Sequence, residues 1–536
     1  MRKSLLCIGI VAAALLAPPL YGSESGPALI HSPEIVPESV AREAGIDNRH
    51  SRRFARVELD VDSLLHPAEP PREWGEPAEW GPLAQSTVTI EPFPGEIYRL
   101  NGRYVEEWTD SAWTWVGAID GYESADLVLS IAESGYFGMM RVGPIVYEVR
   151  QGSDGQTYVR EPEIAAYELK NACAQGLKID HEEKLEDGRN LGEQQQAATA
   201  SSGTAVIDIL LLYSSAAATN QDIEALANSS VASLNLSFDD SNVNAVARIV
   251  HYSLVSGYTE DNPMTLDDIL DLTRDMRNGT GDFSGVPGLR NTHSADLAHF
   301  IWDGSMVGSD TCGSAWTPNS ASGNSTLFSG NTGDSCIAMY NNFTHEIGHN
   351  LGNDHDYPDK RGAFDYSHGF SFAGGGGVPE FRTIMGSDFT CSLSSCDRLN
   401  RWSDPNETYF SQAIGVTGEA DAAQSLNTMR SVISNYRTPT GSDPSAISPV
   451  TVVRGLCFDD NWVNYNAPSG LLGWYEIQTD SNSSFSSPTA FYRGVKTSVP
   501  LSVFSTTWVR ARACNSSGCS GWTNGSQAAT YTAGCL

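Results

Sequence analysis

The chain has 536 residues, a formal net charge of -32 and 10 cysteines. At about 100–200 residues per domain, this length predicts three or four folded pieces with ample core. The acidity argues against nucleic acid as a partner, because holding phosphates needs clustered Lys and Arg; it fits a protein kept soluble outside a cell.

At the start, Arg2 and Lys3 precede an apolar run from Leu5 to Leu16 and a Pro-containing small-residue stretch ending near Ser23. This is the layout of a secretory signal peptide over 1–23. The run is shorter than the roughly 20 residues that cross a bilayer, so the expectation is a secreted, extracellular protein with no membrane span. Cys7 lies ahead of most of the run, which counts against a lipoprotein acceptor.

Residues 24–200 form an acidic segment in which Trp113–Ile119, Ala125–Ile131 and Ile145–Val149 read as short strands between Gly and Asp turns. A Gln-, Ala-, Thr- and Ser-rich stretch from Gly192 to Gly203 has the composition of a cleavable linker. Over 204–437 helix and strand alternate. Val206–Tyr213 reads as a buried strand, and Ile223, Leu226, Val231 and Leu234 have helical spacing. Ala245–Leu254 reads as a strand, Asp267–Met276 as a helix and Ala295–Trp302 as a further strand. That order predicts an α/β core. Thr, Pro, Gly and Ser mark a second linker at 438–449, and 450–536 reads as a small all-β module.

The cysteines are distributed unevenly. Cys312, Cys336, Cys391, Cys396, Cys457, Cys514, Cys519 and Cys535 all follow residue 310, an even set that suits disulfides in an exported chain. Cys173 stands without a partner in its own segment.

The chemistry is concentrated in Thr344-His345-Glu346-Ile347-Gly348-His349-Asn350-Leu351-Gly352-Asn353-Asp354-His355-Asp356. Residues four apart share one helix face, so His345 and His349 can offer imidazoles to one ion. Gly352 can stop the helix in a conformation closed to most residues, and the turn brings up His355. Three neutral imidazoles leave the fourth tetrahedral position of Zn2+ for water. Glu346 is then placed as general base for hydrolysis.

This segment matches the metzincin metallopeptidase motif HExxHxxGxxH at each defined position, and Asp356 together with the phrase FTHEIGHNLG resembles the reprolysin or adamalysin branch. The resemblance implies an α/β (α+β) catalytic domain with a mixed sheet and an active-site helix, a β-rich propeptide, and one catalytic zinc. It further implies that Met385, in Thr383-Ile384-Met385-Gly386, is the Met-turn residue packed beneath the metal. Cys312-Gly313-Ser314-Ala315-Trp316 is similar to that branch's strand along the cleft, where substrate would pair by its backbone. The reprolysin cysteine before the Met-turn is absent, so that branch's disulfide pairings do not carry over. Arg401-Trp402-Ser403-Asp404-Pro405-Asn406 looks more like bacterial secreted relatives, and Cys391 and Cys396 are expected to pair locally.

The segment from about Gly95 to Arg160 resembles a reprolysin-type propeptide, which makes Cys173 either a latency thiol on the zinc or a buried idle thiol. His299 and His368 read as structural. Asn342-Phe343-Thr344 is one of several triplets that matter only in a host that glycosylates them. Trp508–Cys519 resembles a late strand of fibronectin type III-like domains, so 450–536 is expected to be a small β-sandwich-like module. It either binds a cell surface or polysaccharide or acts as a spacer. The function these features imply is a secreted zinc endopeptidase acting on proteins or peptides and made as a latent precursor. The alternative is a zinc-holding adhesion or binding protein, which would need the histidines but not Glu346. Calcium binding is left open.

Overall fold

The computed structural model describes residues 26–46, 51–67, 80–109, 111–163, 203–306, 311–357, 362–386, 396–438, 442–454, 460–468, 473–502 and 506–528. The signal stretch, nearly all of the first linker, and Cys173 and Cys391 lie outside them.

Among the described residues, nine strands of the N-terminal part close into a barrel. They are β1 (Ala28–Val36), β2 (Ser51–Leu59), β3 (Thr87–Ile90), β4 (Tyr98–Glu107), β5 (Trp113–Ile119), β6 (Asp126–Ile131), β7 (Tyr136–Val142), β8 (Ile145–Gln151) and β9 (Thr157–Pro162). The order β4-β3-β1-β2-β9-β8-β7-β6-β5 returns to β4 through the β4–β5 pairing, so no edge is left along this path. The strands expected at 113–119, 125–131 and 145–149 are β5, β6 and the start of β8.

Side chains of the barrel strands alternate between two cores. Trp115, Leu127, Leu129, Met140 and Val149 face one, and Val116, Val128, Phe137, Met139 and Val146 face the other. The second core is shared with the following domain, so these strands are buried on both faces, which explains why segments such as Asp126–Ile131 read as nearly continuous apolar runs.

The second part is the expected α/β core. Strands β10 (Ala205–Tyr213), β11 (Ala245–Leu254), β12 (Leu297–Trp302), β13 (Gly313–Ala315) and β14 (Ser329–Gly333) form a sheet in the order β11-β10-β12-β14-β13. All pair in parallel except β13, which runs antiparallel to β14 at the edge, making the sheet mixed. Helix α1 (Ile223–Asp240) begins where Asp222 accepts from the Ala225 N–H at 2.8 Å. Helix α2 (Leu266–Asn278) starts with a reciprocal capping box between Thr265 and Asp268. Helices α3 (Asp334–Tyr340) and α4 (Asn342–Asn350) follow β14 directly.

The spacing in α1 predicts one apolar face, yet the structure buries the helix on nearly all sides, Ser229, Ser233 and Asn235 included. The barrel supplies the partners. Ser229 Oγ donates to the Phe137 carbonyl at 3.0 Å, Arg141 donates to Ser233 Oγ at 2.9 Å, and Asn235 Nδ2 donates to Glu106 Oε1 at 3.0 Å.

After 442 the chain forms β15 (Val450–Arg454), β16 (Asp460–Tyr465), β17 (Trp474–Asp480), β18 (Thr489–Gly494), β19 (Ser498–Ser502) and β20 (Trp508–Asn515). Among the described residues these make a β15-β16-β19 sheet and a β18-β17-β20 sheet. The sequence marks a linker ahead of this module, and the structure packs the module against the barrel. β18 pairs in parallel with β4 through Tyr492–Val105, Arg493–Glu106 and Gly494–Glu107. Ile447, inside the expected linker, is buried in the core common to barrel and module. Small polar residues gave that stretch a linker composition, and the single Ile together with hydrogen bonds from Asn515 to Ser442 and from Thr523 to Ile447 overrides it.

Arg493 ties the three parts together. It is 2% exposed and pairs with Asp239 of α1 at 2.8 Å, Glu106 of β4 at 3.3 Å and Glu476 of β17 at 3.3 Å. Burial drives the pKa of Glu106 and Asp239 up despite Arg493. Burial also works to raise Glu476, but Arg512 and Arg493 overcome it and its pKa is lowered. Removing one member of such a group leaves charge buried without its counterpart. Arg493→Met is therefore expected to cost about 3–5 kcal/mol of stability, read from urea unfolding. Adding Glu106→Gln should recover part of that loss. A change below about 1 kcal/mol would rule out a central structural role for the cluster.

Candidate metal centre

Helix α4 carries His345, Glu346 and His349, all buried. It ends at Gly352, whose φ of 89° is the left-handed conformation expected from the sequence. The turn then delivers His355 from the short strand Asp354–Asp356. His345 Nδ1 lies 2.8 Å from the Ile384 carbonyl and His349 Nδ1 lies 2.9 Å from the Asn353 carbonyl. A carbonyl oxygen only accepts, so each Nδ1 holds the proton and each Nε2 presents a bare lone pair.

Those lone pairs converge. His345 Nε2 and His349 Nε2 stand 3.1 and 3.2 Å from His355 Nε2. Three imidazole nitrogens meeting this closely repel one another unless a cation lies between them. Tetrahedral zinc, with bonds of about 2.0–2.1 Å, spaces its ligand nitrogens by about 3.3 Å, so the site fits the ion. Burial, and then the neighbouring His349, push the His345 pKa down to about 3, which keeps the imidazole neutral as a metal ligand must be. The other close group of such residues among those described is Glu476 with Cys514 and Cys519. Its sulfurs are joined in a disulfide, so it offers no thiolate.

The surroundings hold the ligands in place. Met385 is fully buried, and a Cβ on Gly348 would come within 2.7 Å of its Sδ and 2.8 Å of the Trp402 ring. Glycine at 348 is what lets α4 settle on those two side chains. Trp402 is itself fixed by donating from Nε1 to Ser237 Oγ of α1 at 3.0 Å. Glu346 Oε1 accepts from Asn342 Nδ2 at 3.2 Å. Asn342 is buried, so that triplet is not an accessible glycosylation site in the folded chain. Strand β13 passes directly over the carboxylate, since a Cβ on Gly313 would lie 3.2 Å from Glu346 Cγ. The Cys312–Cys336 disulfide joins the start of β13 to α3.

Several supporting groups were not foreseen. His368 Nδ1 donates to the His355 carbonyl at 2.8 Å, so a histidine read as merely structural steadies the third ligand's backbone. The Ile384 and Asn353 carbonyls carry no residue signature at all. His299 is a core residue, with Nε2 2.9 Å from Thr332 Oγ1 and its pKa pushed down to about 3 by burial. Cys396 is disulfide-bonded, and Cys391, its expected partner, lies outside the described residues. His349→Ala removes a ligand together with its orienting bond and should abolish stoichiometric zinc, measured by metal analysis of the dialysed protein. His368→Ala should weaken zinc retention by about 10–100-fold, the usual effect of losing an outer-shell partner.

Residues 225–356 match the family described as Metallo-peptidase family M12B Reprolysin-like. Three curated relatives, each named peptidyl-Asp metalloendopeptidase, come from two strains of Stenotrophomonas maltophilia and from Xanthomonas campestris pv. campestris. The first is 29% identical over 66% of this chain and 84% of its own length. The second is 31% identical over 45% and 55%, and the third 28% identical over 60% and 72%. With the converging imidazoles at the end of the matched region, residues 225–356 are reprolysin-like and the chain is a zinc metalloendopeptidase.

Proposed function

We propose that this chain is an exported endopeptidase that cuts proteins at aspartate, with Glu346 as its catalytic acid–base group. The observation that carries the reading is the placing of Glu346 between the two helix ligands, beneath the edge strand β13. An extended substrate lies along the outer edge of β13, its backbone held by strand pairing. Zinc held by His345, His349 and His355 supplies Lewis acidity that polarises the scissile carbonyl and lowers the pKa of water. The Glu346 carboxylate takes a proton from the attacking water and passes it to the departing amine nitrogen, so water is added across the peptide bond. Asn342 orients the carboxylate. Met385 and Trp402 fix the helix beneath and touch no reacting atom.

A preference for aspartate rests on the relatives' name and on the charge beside the site. Arg382 and Arg398 are register partners on the short strands Phe381–Arg382 and Asp397–Arg398. Both line a small cleft with Ile384, whose carbonyl holds His345. This cationic flank favours an acidic side chain next to the cut. Export is supported by the basic-then-apolar start and by the disulfides. No helix among the described residues is long and apolar enough to cross a membrane. We assign 24–200 to a prosegment with maturation cuts in the segment before 203, 204–437 to the metzincin domain, and 450–536 to a fibronectin type III-like module. The β15-β16-β19 and β18-β17-β20 pairings support that last assignment.

Glu346→Gln should keep zinc and lose about 10²–10⁴-fold in kcat on casein; full activity in the zinc-loaded variant would remove Glu346 from the mechanism. On a peptide pair differing only by Asp or Asn at the cut, kcat/KM should favour Asp by at least about tenfold, or ~1.4 kcal/mol. Equal rates would sink the proposed aspartate preference.

A further inference from the structure

A removable inhibitory prosegment should leave a soluble catalytic domain behind, so the surfaces it covers should be mostly polar. The barrel does the opposite. Its outward residues Val116, Val128, Phe137, Met139 and Val146 lie in one continuous core with β10, α1 and α4. Parting the two would open a core to water, a feature of permanent interfaces and not of transient ones. The polar contacts are equally committed. Tyr104 donates to the Ala232 carbonyl at 3.2 Å inside α1, and Arg103 pairs with Asp240 of α1, with Nη1 2.9 Å from Oδ2. On its other flank the barrel is joined to the C-terminal module by the β4–β18 strand pairing and a second shared core. Arg493 then needs carboxylates from all three parts at once. The chain passes from barrel to catalytic domain once, through 164–202.

We propose that the barrel is a permanent subunit of the working enzyme. Hydrolysis of a peptide bond within 164–202 leaves residues 26–163 bound to the rest of the chain, and the enzyme acts as this two-chain complex. The latency expected of the precursor then depends on the 164–202 segment and not on dissociation of the barrel.

The test is to place site-specific protease recognition sequences at both ends of the connecting segment, within 164–170 and within 196–202 of the full-length, zinc-loaded chain, cut both so that the segment is released, and run the product on a sizing column without denaturant. The expected result is one peak at the volume of the uncut protein that contains both fragments on a denaturing gel, with chelator-sensitive casein cleavage in that peak. A C-terminal fragment that elutes alone overturns the proposal, whether it is active or not. So does a co-eluting pair that stays silent until mild urea strips the barrel away and activity appears. If no form of the protein cleaves any substrate, the peptidase reading fails, and co-elution alone then decides whether the barrel is a permanent subunit.

Discussion

Three imidazoles must be held neutral and aimed at one point inside a buried site, and most of the local architecture follows from that demand. Lone pairs brought within 3.1–3.2 Å of one another do not stay there on their own account. The ring protons are held on the far nitrogens by two backbone carbonyls, one from the turn that ends α4 and one from the residue before Met385. This forces the 383–386 turn to lie directly under the helix. It also requires glycine at 348, where any side chain would strike Met385 or Trp402. Trp402 reaches in turn to Ser237 and stacks on Phe238, both on α1. The metal centre is thus braced against the helix that the barrel covers.

That bracing gives the barrel a structural part in the site. Helix α1 is wedged between the parallel sheet, α4 and the barrel wall, and its small residues let all three approach closely. Three of its buried polar side chains, Ser229, Ser233 and Asn235, share hydrogen bonds with barrel groups at Phe137, Arg141 and Glu106. Without the barrel these groups would face water and the helix would lose much of one packing surface, with the metal site only one side chain further on.

The C-terminal module completes the arrangement. Trp474 of β17 packs with Val206 and Val246 of the catalytic sheet and lies beneath the Arg248 guanidinium, which is itself paired with Asp208 at 2.7 Å. The long acidic α1 end, carrying Asp239 and Asp240, is answered by Arg493 from the module and Arg103 from the barrel. A formal charge of -32 makes these few cations matter, Arg493 above all, because it sits where carboxylates from three parts of the chain would otherwise repel.

The sequence by itself determined the ligand set, the glutamate beside it, the glycine turn and the α/β order of 204–437. Each depends on spacing within one helix or one strand, where local geometry is imposed by the backbone period. His345 and His349 share a face because they are four apart, whatever surrounds them. The strands at 113–119 and 245–254 were legible for the same reason. Tertiary structure alone decided which carbonyls orient the imidazoles, that His368 steadies His355, and that α1 is covered on its polar side. It also decided that the barrel closes and that the C-terminal strands join it. Most of those contacts pair residues far apart in the chain, and many are made by backbone atoms that every residue possesses, so no residue type announces them. Composition marked 438–449 as a linker but carried no sign that Ile447 is buried or that Ser442 and Ile447 accept hydrogen bonds from Asn515 and Thr523, because those partners lie some 70 residues further on.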